Sequence, residues 1–231
     1  MKRTLDVARL HLTAWPLIIG WPIGVLVIAF ALSYTLFALL PETDNEYNFT
    51  GGMFSMYGFA VGFYLQAVTQ TFPFALGISV TRKEFFRATA LVGTVQSALL
   101  ATLVVVLSAL ENATAGFGVK SRMFGPFRDA TENPFLEWLG IFTTLLLVAS
   151  VGMALGVVYQ RYRVTGILAT GLAALVVVGS AVIVVSWQQW WPAVGRFFIE
   201  TPTVLLLGAI PLALSALFAI ASWTGLRRAT A

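Results

Sequence analysis

The sequence predicts an all-α, polytopic membrane protein with six transmembrane helices, an N-terminal interfacial amphipathic helix and both termini in the cytosol. Of its 231 residues, 58% are hydrophobic and 10% are charged, a composition that soluble domains do not have. The charges lie in clusters between uncharged runs of about 20 residues, the length that crosses a bilayer. Cations are concentrated in alternate loops, as is typical of loops that face the cytosol.

Residues 1–14 have the spacing of an amphipathic helix. Leu5 and Leu12 fall on one helical face, whereas Asp6 and Arg9 fall on another. This pattern favours a helix that lies in the membrane interface before the chain turns inward. A frayed cytosolic tail is the alternative interpretation.

Six apolar segments follow, and they predict the membrane-spanning helices. They cover residues 15–40, 51–78, 88–110, 138–158, 164–186 and 202–223. The longest hydrophilic stretch, residues 111–137, contains Gly and Pro residues that oppose a long helix. It is interpreted as an external loop that forms a lid, or else as a mobile linker with no function.

The distribution of cations sets the predicted orientation. The two sides of the membrane hold ten and four cations, and the loops on the richer side are short. The positive-inside rule assigns that richer side to the cytosol. Its ten cations are Lys2, Arg3, Arg9, Arg82, Lys83, Arg87, Arg161, Arg163, Arg227 and Arg228.

The turn at residues 79–87, between the second and third segments, has an unusual composition. Thr81 and Glu84 have the spacing of a capping box at the start of a helix. Two adjacent Phe residues lie among three cations, and exposed apolar surface of this kind usually meets a partner or the bilayer edge. Two interpretations stay open: the turn receives force from a separate protein, or it caps and anchors the third helix. The candidate docking residues are Thr81, Arg82, Lys83, Glu84, Phe85, Phe86 and Arg87.

Polar residues inside the segments have a structural and a functional interpretation. Gln66, Thr69 and Gln70 lie on adjacent turns of the second segment, and Gln96 lies early in the third. Gln70 and Gln96 are at similar depth, so a hydrogen bond between the helices, worth about 0.6 kcal/mol, is expected. The alternative is that these residues line a substrate path. Pro73 is a candidate hinge near the cytosolic end.

Three G-x-x-x-G pairs predict that helices approach one another closely. They are Gly20 with Gly24, Gly58 with Gly62, and Gly152 with Gly156. The same pairs could serve an interface between two copies of the chain.

Several classes of function are disfavoured by what the sequence lacks. No ionisable residue lies near a predicted bilayer centre, although ion-coupled carriers usually have one there. The chain contains no Cys, and its one histidine, His11, precedes the first segment, which disfavours thiol, thiolate-metal and intramembrane Ser–His chemistry. No metal-ligand cluster or phosphate-binding loop is present. We therefore expect no enzyme activity and no metal or cofactor in this chain, and we expect no nucleic-acid partner.

The stretch of residues 72–86, read as FPFALGISVTRKEFF, resembles the coupling region of permease subunits of bacterial ABC exporters of the ABC-2 type. Those proteins have an amphipathic helix and six spans, as predicted here. The resemblance implies a bacterial inner-membrane permease that docks cytosolic nucleotide-binding ATPase subunits through residues 79–87. ATP and Mg²⁺ would bind in the ATPase, and a second permease copy or a related permease chain would complete the pore. Membrane lipid would surround it.

The aromatic residues of the second segment, Phe59, Phe63 and Tyr64, favour amphipathic compounds, lipids or peptides as cargo. Two alternatives remain. The first is the substrate-capturing six-helix membrane subunit of a vitamin-type importer, with an outer pocket formed by the Trp residues at 187–191 and the 111–137 segment. The second is a membrane scaffold that transports nothing.

Overall fold

A computed structural model describes residues 19–39 and 47–228, and this part of the chain is mostly helical. Its helices are α1 (Trp21–Leu39), α2 (Ser55–Gln66), α3 (Phe72–Gly77), α4 (Arg82–Ala113), α5 (Pro134–Trp187), α6 (Trp191–Glu200) and α7 (Ile210–Arg228). Strand β1 (Asn48–Phe49) pairs in parallel with β2 (Ser121–Arg122). A 3₁₀ turn, Gly52–Phe54, precedes α2, and a π-helical turn, Ala67–Thr71, joins α2 to α3. The interfacial helix predicted for residues 1–14 lies outside the described residues and stays a prediction.

Four helices are long and apolar enough to cross a membrane, which confirms the all-α prediction and indicates a membrane protein. They are Trp21–Leu39, Arg82–Ala113, Pro134–Trp187 and Leu205–Arg227. The predicted number of six crossings stays a prediction, because two of the predicted segments lie in α5 and another changes helix type at Ala67–Thr71. With 54 residues, α5 would extend about 81 Å if it were straight, against about 30 Å of hydrocarbon. Its one residue with non-helical φ and ψ is Arg163, at 54° and −148°.

The first part of α5 and α7 run in parallel, side by side. The Thr143 hydroxyl donates to the carbonyl of Leu207, which lies in the π-helical turn Leu205–Ala209 that leads into α7. Further along α5 and α7, the hydroxyls of Ser150 and Ser215 are 2.8 Å apart. Because the residue numbers rise together in both helices, the intervening residues 164–204 must return across the bundle. This agrees with a reversal of the chain at Arg163.

The G-x-x-x-G pair in α5 lies where α5 and α2 meet. A Cβ atom on Gly152 would lie 2.7 Å from the Val61 carbonyl oxygen, and one on Gly156 would lie 2.7 Å from Cβ of Val68. Real Cβ atoms do not approach other atoms so closely, so only glycine fits at these two positions. The predicted close approach of helices is therefore confirmed for this pair. By contrast, a Cβ on Gly58 or on Gly62 would meet nothing within 4 Å.

Residues 167–200 carry no buried residue, although they include the second part of α5 and all of α6. The apolar surface of this region is therefore not covered by the rest of the single chain. In water such a surface would be costly. In a membrane it is compatible with contact to lipid or to another protein chain.

The segment 111–137 is packed against the helices at the end of the bundle remote from Thr81. The buried carboxylate of Glu111 accepts hydrogen bonds from the backbone N–H groups of Met123, at 2.7 Å, and Phe124, at 3.1 Å. The side chains of Met123 and Phe124 are themselves buried in the hydrophobic core. These contacts favour a packed segment over a mobile linker. A role as a lid stays a prediction.

A second buried carboxylate ties the same segment to the start of α5. The Ser108 hydroxyl donates to Oε1 of Glu137 at 2.7 Å. The Arg128 guanidinium donates to the carbonyl and the hydroxyl oxygens of Ser108 at 2.9 and 2.8 Å. A buried charge requires partners of this kind, and here they join the loop, α4 and α5.

Candidate functional site

The chain reverses direction between α3 and α4 in four residues. The Val80 N–H donates to the Ala75 carbonyl and the Ser79 N–H donates to the Leu76 carbonyl, each at 3.0 Å. This pair of bonds is a Schellman motif, which uses carbonyls that the helix end would otherwise leave unpaired. It places Ser79 in the left-handed conformation, with a φ of 65°. The end of α3 is therefore closed by its own backbone.

The start of α4 is fixed by the predicted capping box. The Thr81 hydroxyl accepts from the Glu84 N–H at 3.2 Å, and the Glu84 carboxylate accepts from the Thr81 N–H at 3.0 Å. A cap of this kind typically stabilises a helix by about 1 kcal/mol. The prediction of a capping box is confirmed.

The residues that follow the cap belong to the membrane helix itself. Helix α4 begins at Arg82 and runs to Ala113 without a break, whereas the sequence predicted a turn over 79–87 and a helix from 88. No Gly or Pro lies between residues 81 and 92 to stop the helix. The reversal is therefore short, and a force on it acts directly on the end of a 32-residue helix.

The expected exposure of both Phe residues is wrong for Phe85. This side chain is 1% exposed, and its ring lies 5.1 Å from that of Phe72 in the chain's own core. The reason is helical periodicity, because residues 85, 88 and 89 share the inner face of α4. Phe86 is half-buried, and its ring lies 5.4 Å from that of Trp223 in α7. Phe85 therefore holds the turn in place and is not available to a partner.

The three cations of the turn divide into two kinds. Nη1 of Arg82 donates to the Arg227 carbonyl at 3.0 Å, at the C-terminal end of α7, where a cation is favourable. Lys83 and Arg87 are exposed, and neither forms a hydrogen bond or ion pair with a described residue. They lie at i and i+4 on one face of α4, where like charges repel each other. Two of the three predicted contact cations are therefore available to an external partner.

The polar residues of the second segment do not form the predicted contact with the third. Nε2 of Gln66 donates to Oε1 of Gln70 at 3.1 Å on the exposed face of the helix, and the Thr69 hydroxyl donates to the Gln66 carbonyl at 3.4 Å. Gln96 is buried and accepts from the Tyr64 hydroxyl. The expected bond between Gln70 and Gln96 is therefore wrong, because residues 64 and 70 lie on different faces of the helix.

Pro73 leaves backbone carbonyls without their usual hydrogen-bond donor, and a side chain from another helix donates to them instead. Pro has no N–H to donate to the carbonyl four or five residues earlier, which in this chain is that of Thr69 or Val68. Nε2 of Gln160, in α5, lies 3.2 Å from the Val68 oxygen and 3.4 Å from the Thr69 oxygen. The π-helical turn Ala67–Thr71 lies directly before Pro73, and turns of this type are frequent at functional sites.

Sequence reasoning identified Pro73 but missed Gln160. A signal was present, since a Pro within a membrane helix requires a donor for the freed carbonyl. Gln160 lies in the predicted turn at the same end of the bundle as Pro73. Whether Pro73 acts as a hinge stays a prediction.

The exposed face of the second segment carries a continuous stripe of small and polar residues. Gly58, Gly62, Gln66 and Gln70 follow one another at intervals of four, and all are exposed. We call these four residues the Gly–Gln stripe. Amide side chains are costly in contact with lipid tails, so this face favours contact with water or with another polar surface.

The described residues contain no group of three or more His, Cys, Asp or Glu side chains that could hold a metal ion. No family model, curated protein or solved structure matches this chain.

Proposed function

We propose that this chain is the transmembrane permease subunit of an ATP-driven ABC exporter in the bacterial inner membrane. It would cross the membrane six times, with both termini in the cytosol, and would have no enzymatic activity of its own. Separate cytosolic ATPase subunits would bind ATP and Mg²⁺. The observation that carries the proposal is the turn at Thr81, which is fixed on both sides and presents Lys83 and Arg87, two exposed cations with no ion-pair partner among the described residues.

Force applied to this turn would reach the centre of the bundle. The Schellman motif and the capping box leave little freedom between α3 and α4, and Phe85 anchors the turn in the core. Helix α4 is about 48 Å long, so a displacement of its first turn would move the whole helix. The joint at Ala67–Thr71 and Pro73 would let α3 move with α4 while α2 stays packed on α5.

The translocation path would lie along the Gly–Gln stripe, where a second permease copy or a related chain faces it. The carboxamides of Gln66 and Gln70 donate and accept hydrogen bonds, so they suit both a polar lining and contact with an identical surface. The uncovered region 167–200 would supply further contact with the second chain or with lipid.

The proposed cargo is an amphipathic compound, a lipid or a peptide. Tyr64 is buried in the core and does not contribute to the aromatic character of the path. Phe54 and Phe74 are exposed at the two ends of the Gly–Gln stripe, so apolar groups flank the polar ones. Transport of a strictly hydrophilic sugar by the purified complex would contradict this part of the proposal.

The importer alternative finds little support at the opposite end of the bundle. One cavity that the described residues form there, lined by Glu111, Arg122 and Arg128 among others, measures about 70 Å³. Pockets for drug-sized ligands measure about 300–1,000 Å³. The exposed Trp187 and Trp191 belong to the uncovered region and suit a membrane interface.

Charge reversal at the two available cations tests the proposal. We expect Lys83→Glu with Arg87→Glu to abolish co-purification of the ATPase while the permease stays folded. Arg161→Glu is the matched control, because Arg161 is an exposed cation at the same end of the bundle. Arg82 is not substituted, because its side chain also bonds to the Arg227 carbonyl. Its loss would disturb the contact between α4 and α7, and this effect could not be separated from an effect on docking. Normal co-purification of the double variant would refute docking through this turn.

A further inference from the structure

An open groove lies between the start of α4 and the last turns of α7. Its volume is about 410 Å³, and apolar side chains form most of its surface. Its lining residues are Lys83, Phe86, Arg87, Ala216, Ala219, Ile220 and Trp223. All belong to the two helices that Arg82 joins through its bond to the Arg227 carbonyl.

The floor of the groove results from short side chains between large ones. Ala216 and Ala219 are short lining residues on α7, and the Phe86 and Trp223 rings, 5.4 Å apart, line the groove beside them. Ile220, which is 59% exposed, forms part of its wall. This surface suits a flexible hydrocarbon chain better than a polar ligand.

The edge of the groove is positively charged, whereas its floor is apolar. Lys83 and Arg87 line the groove at one turn's spacing, and neither has an anionic partner among the described residues. Arg227 adds positive charge nearby, with its Cζ 5.8 Å from the centre of the Trp223 ring. An anion placed between Lys83 and Arg87 would relieve the repulsion between them.

The groove lies where the membrane boundary is expected. Helix α4 begins at Arg82, and the described part of α7 reaches Arg228. The bond from Arg82 to the Arg227 carbonyl places these two positions at the same level. A Trp side chain is typical of the interface between lipid tails and headgroups. The cations are therefore at headgroup depth, and the apolar floor is at the depth of the acyl chains.

We propose that this groove binds an anionic phospholipid, with its phosphate at Lys83 and Arg87 and an acyl chain along Ala216, Ala219 and Ile220. Basic pockets between membrane helices bind acidic lipid headgroups in this manner. The inference does not rest on the proposed function, because it concerns the chain alone. Lys83 and Arg87 are also the proposed docking cations, so the test must separate the two roles.

A fluorescence-quenching experiment measures lipid selectivity at the groove. The chain has no native Cys, so Ile220→Cys gives a unique site for a fluorescent label. The labelled protein is reconstituted in phosphatidylcholine vesicles that contain brominated phosphatidylglycerol or brominated phosphatidylcholine as the quencher. The matched control is Leu172→Cys, because Leu172 is 63% exposed and follows Arg163 by nine residues, a count close to the eight that separate Ile220 from Arg228.

We expect phosphatidylglycerol to be preferred at position 220 and not at position 172. Each cation near an acidic headgroup changes affinity by about fivefold, so the two together give a preference of about 25-fold. Lys83→Gln with Arg87→Gln should reduce it to near one. An equal preference at both label positions, or a preference that survives in the double variant, would overturn the proposal.

Filling the groove separates lipid binding from docking. Ala216→Leu keeps both cations and should abolish the lipid preference while the ATPase still co-purifies. If a second copy of the chain occupied the groove instead, neither brominated lipid would quench the label at position 220, and the proposal would fall. If only the charges mattered, Ala216→Leu would leave the preference unchanged, which would equally rule out a seated acyl chain.

Discussion

The hydrogen bonds from Gln160 to the backbone near Pro73 give the sharpest stability prediction. Replacing Gln160 by Leu keeps the side-chain volume similar but removes the donor that serves the Val68 and Thr69 carbonyls. An unpaired buried carbonyl costs about 1–3 kcal/mol, and hydrogen bonds between membrane helices average about 0.6 kcal/mol, with a maximum near 1.7. We therefore expect Gln160→Leu to lower the free energy of unfolding by about 1–1.5 kcal/mol.

A double-mutant cycle with Pro73→Ala tests whether that cost arises at the freed carbonyls. Ala at position 73 supplies the missing N–H, so Gln160 would no longer be required there. The destabilisation by Gln160→Leu should then shrink by about 1 kcal/mol in the Pro73→Ala background, a coupling well above the usual error of additivity. The free energies are measured by reversible denaturation of the protein in mixed detergent micelles.

Strictly additive effects of the two substitutions would refute this reasoning. Gln70→Leu is a suitable control, because Gln70 lies near the same joint but bonds to the exposed Gln66. Its effect should be the same in both backgrounds.

Two further predictions concern the packing of the bundle and the segment at its opposite end. Gly156→Ala places a Cβ 2.7 Å from Cβ of Val68, and we expect it to destabilise the fold by about 1–3 kcal/mol. The control Gly62→Ala has open space and should be neutral or stabilising by up to about 1 kcal/mol, so equal losses in thermal stability would contradict the packing. Glu111→Gln turns one acceptor oxygen into a donor that faces the N–H groups of Met123 and Phe124. We expect it to lower the free energy of unfolding by about 1–3 kcal/mol and to increase proteolysis within residues 111–133, whereas the exposed Glu132→Gln should change neither.

Much of the helical architecture follows from local sequence signals. The capping box at Thr81 and Glu84 depends on two residues three apart, and the close approach at Gly152 and Gly156 depends on two glycines at helical spacing. Both predictions are confirmed because each requires only the local helix and one neighbouring surface. The apolar runs likewise indicated helices long enough to cross a membrane.

The predictions that failed depended on how helices are rotated about their axes. The sequence places Phe85 and Phe86 side by side among cations, but only the packing of α4 on Phe72 determines that Phe85 faces inward. In the same way, similar depth suggested a bond between Gln70 and Gln96, whereas the face that α2 presents to α4 contains Tyr64. The depth of a residue in the membrane can be estimated by counting residues along its helix. The rotation of a helix about its axis, however, results from the packing of the whole bundle.

The interactions that the sequence did not indicate join distant parts of the chain. Arg82 meets the end of α7, 145 residues later, and Gln160 reaches the backbone of a helix more than 90 residues earlier. Neither Arg82 nor Gln160 belongs to a local sequence pattern from which its partner could be predicted. A docking role for Arg82 stays a prediction, and its bond to the Arg227 carbonyl gives it a structural role as well.

The most direct test of the proposed function is to isolate the chain from its native membrane in mild detergent, after light crosslinking, and to identify its partners by mass spectrometry. We predict a nucleotide-binding ATPase at about one copy per permease, crosslinked to residues near Thr81. The Lys83→Glu and Arg87→Glu double variant provides the negative control. Recovery of the folded protein without any ATPase would contradict the exporter proposal and would leave the turn at Thr81 as a helix cap.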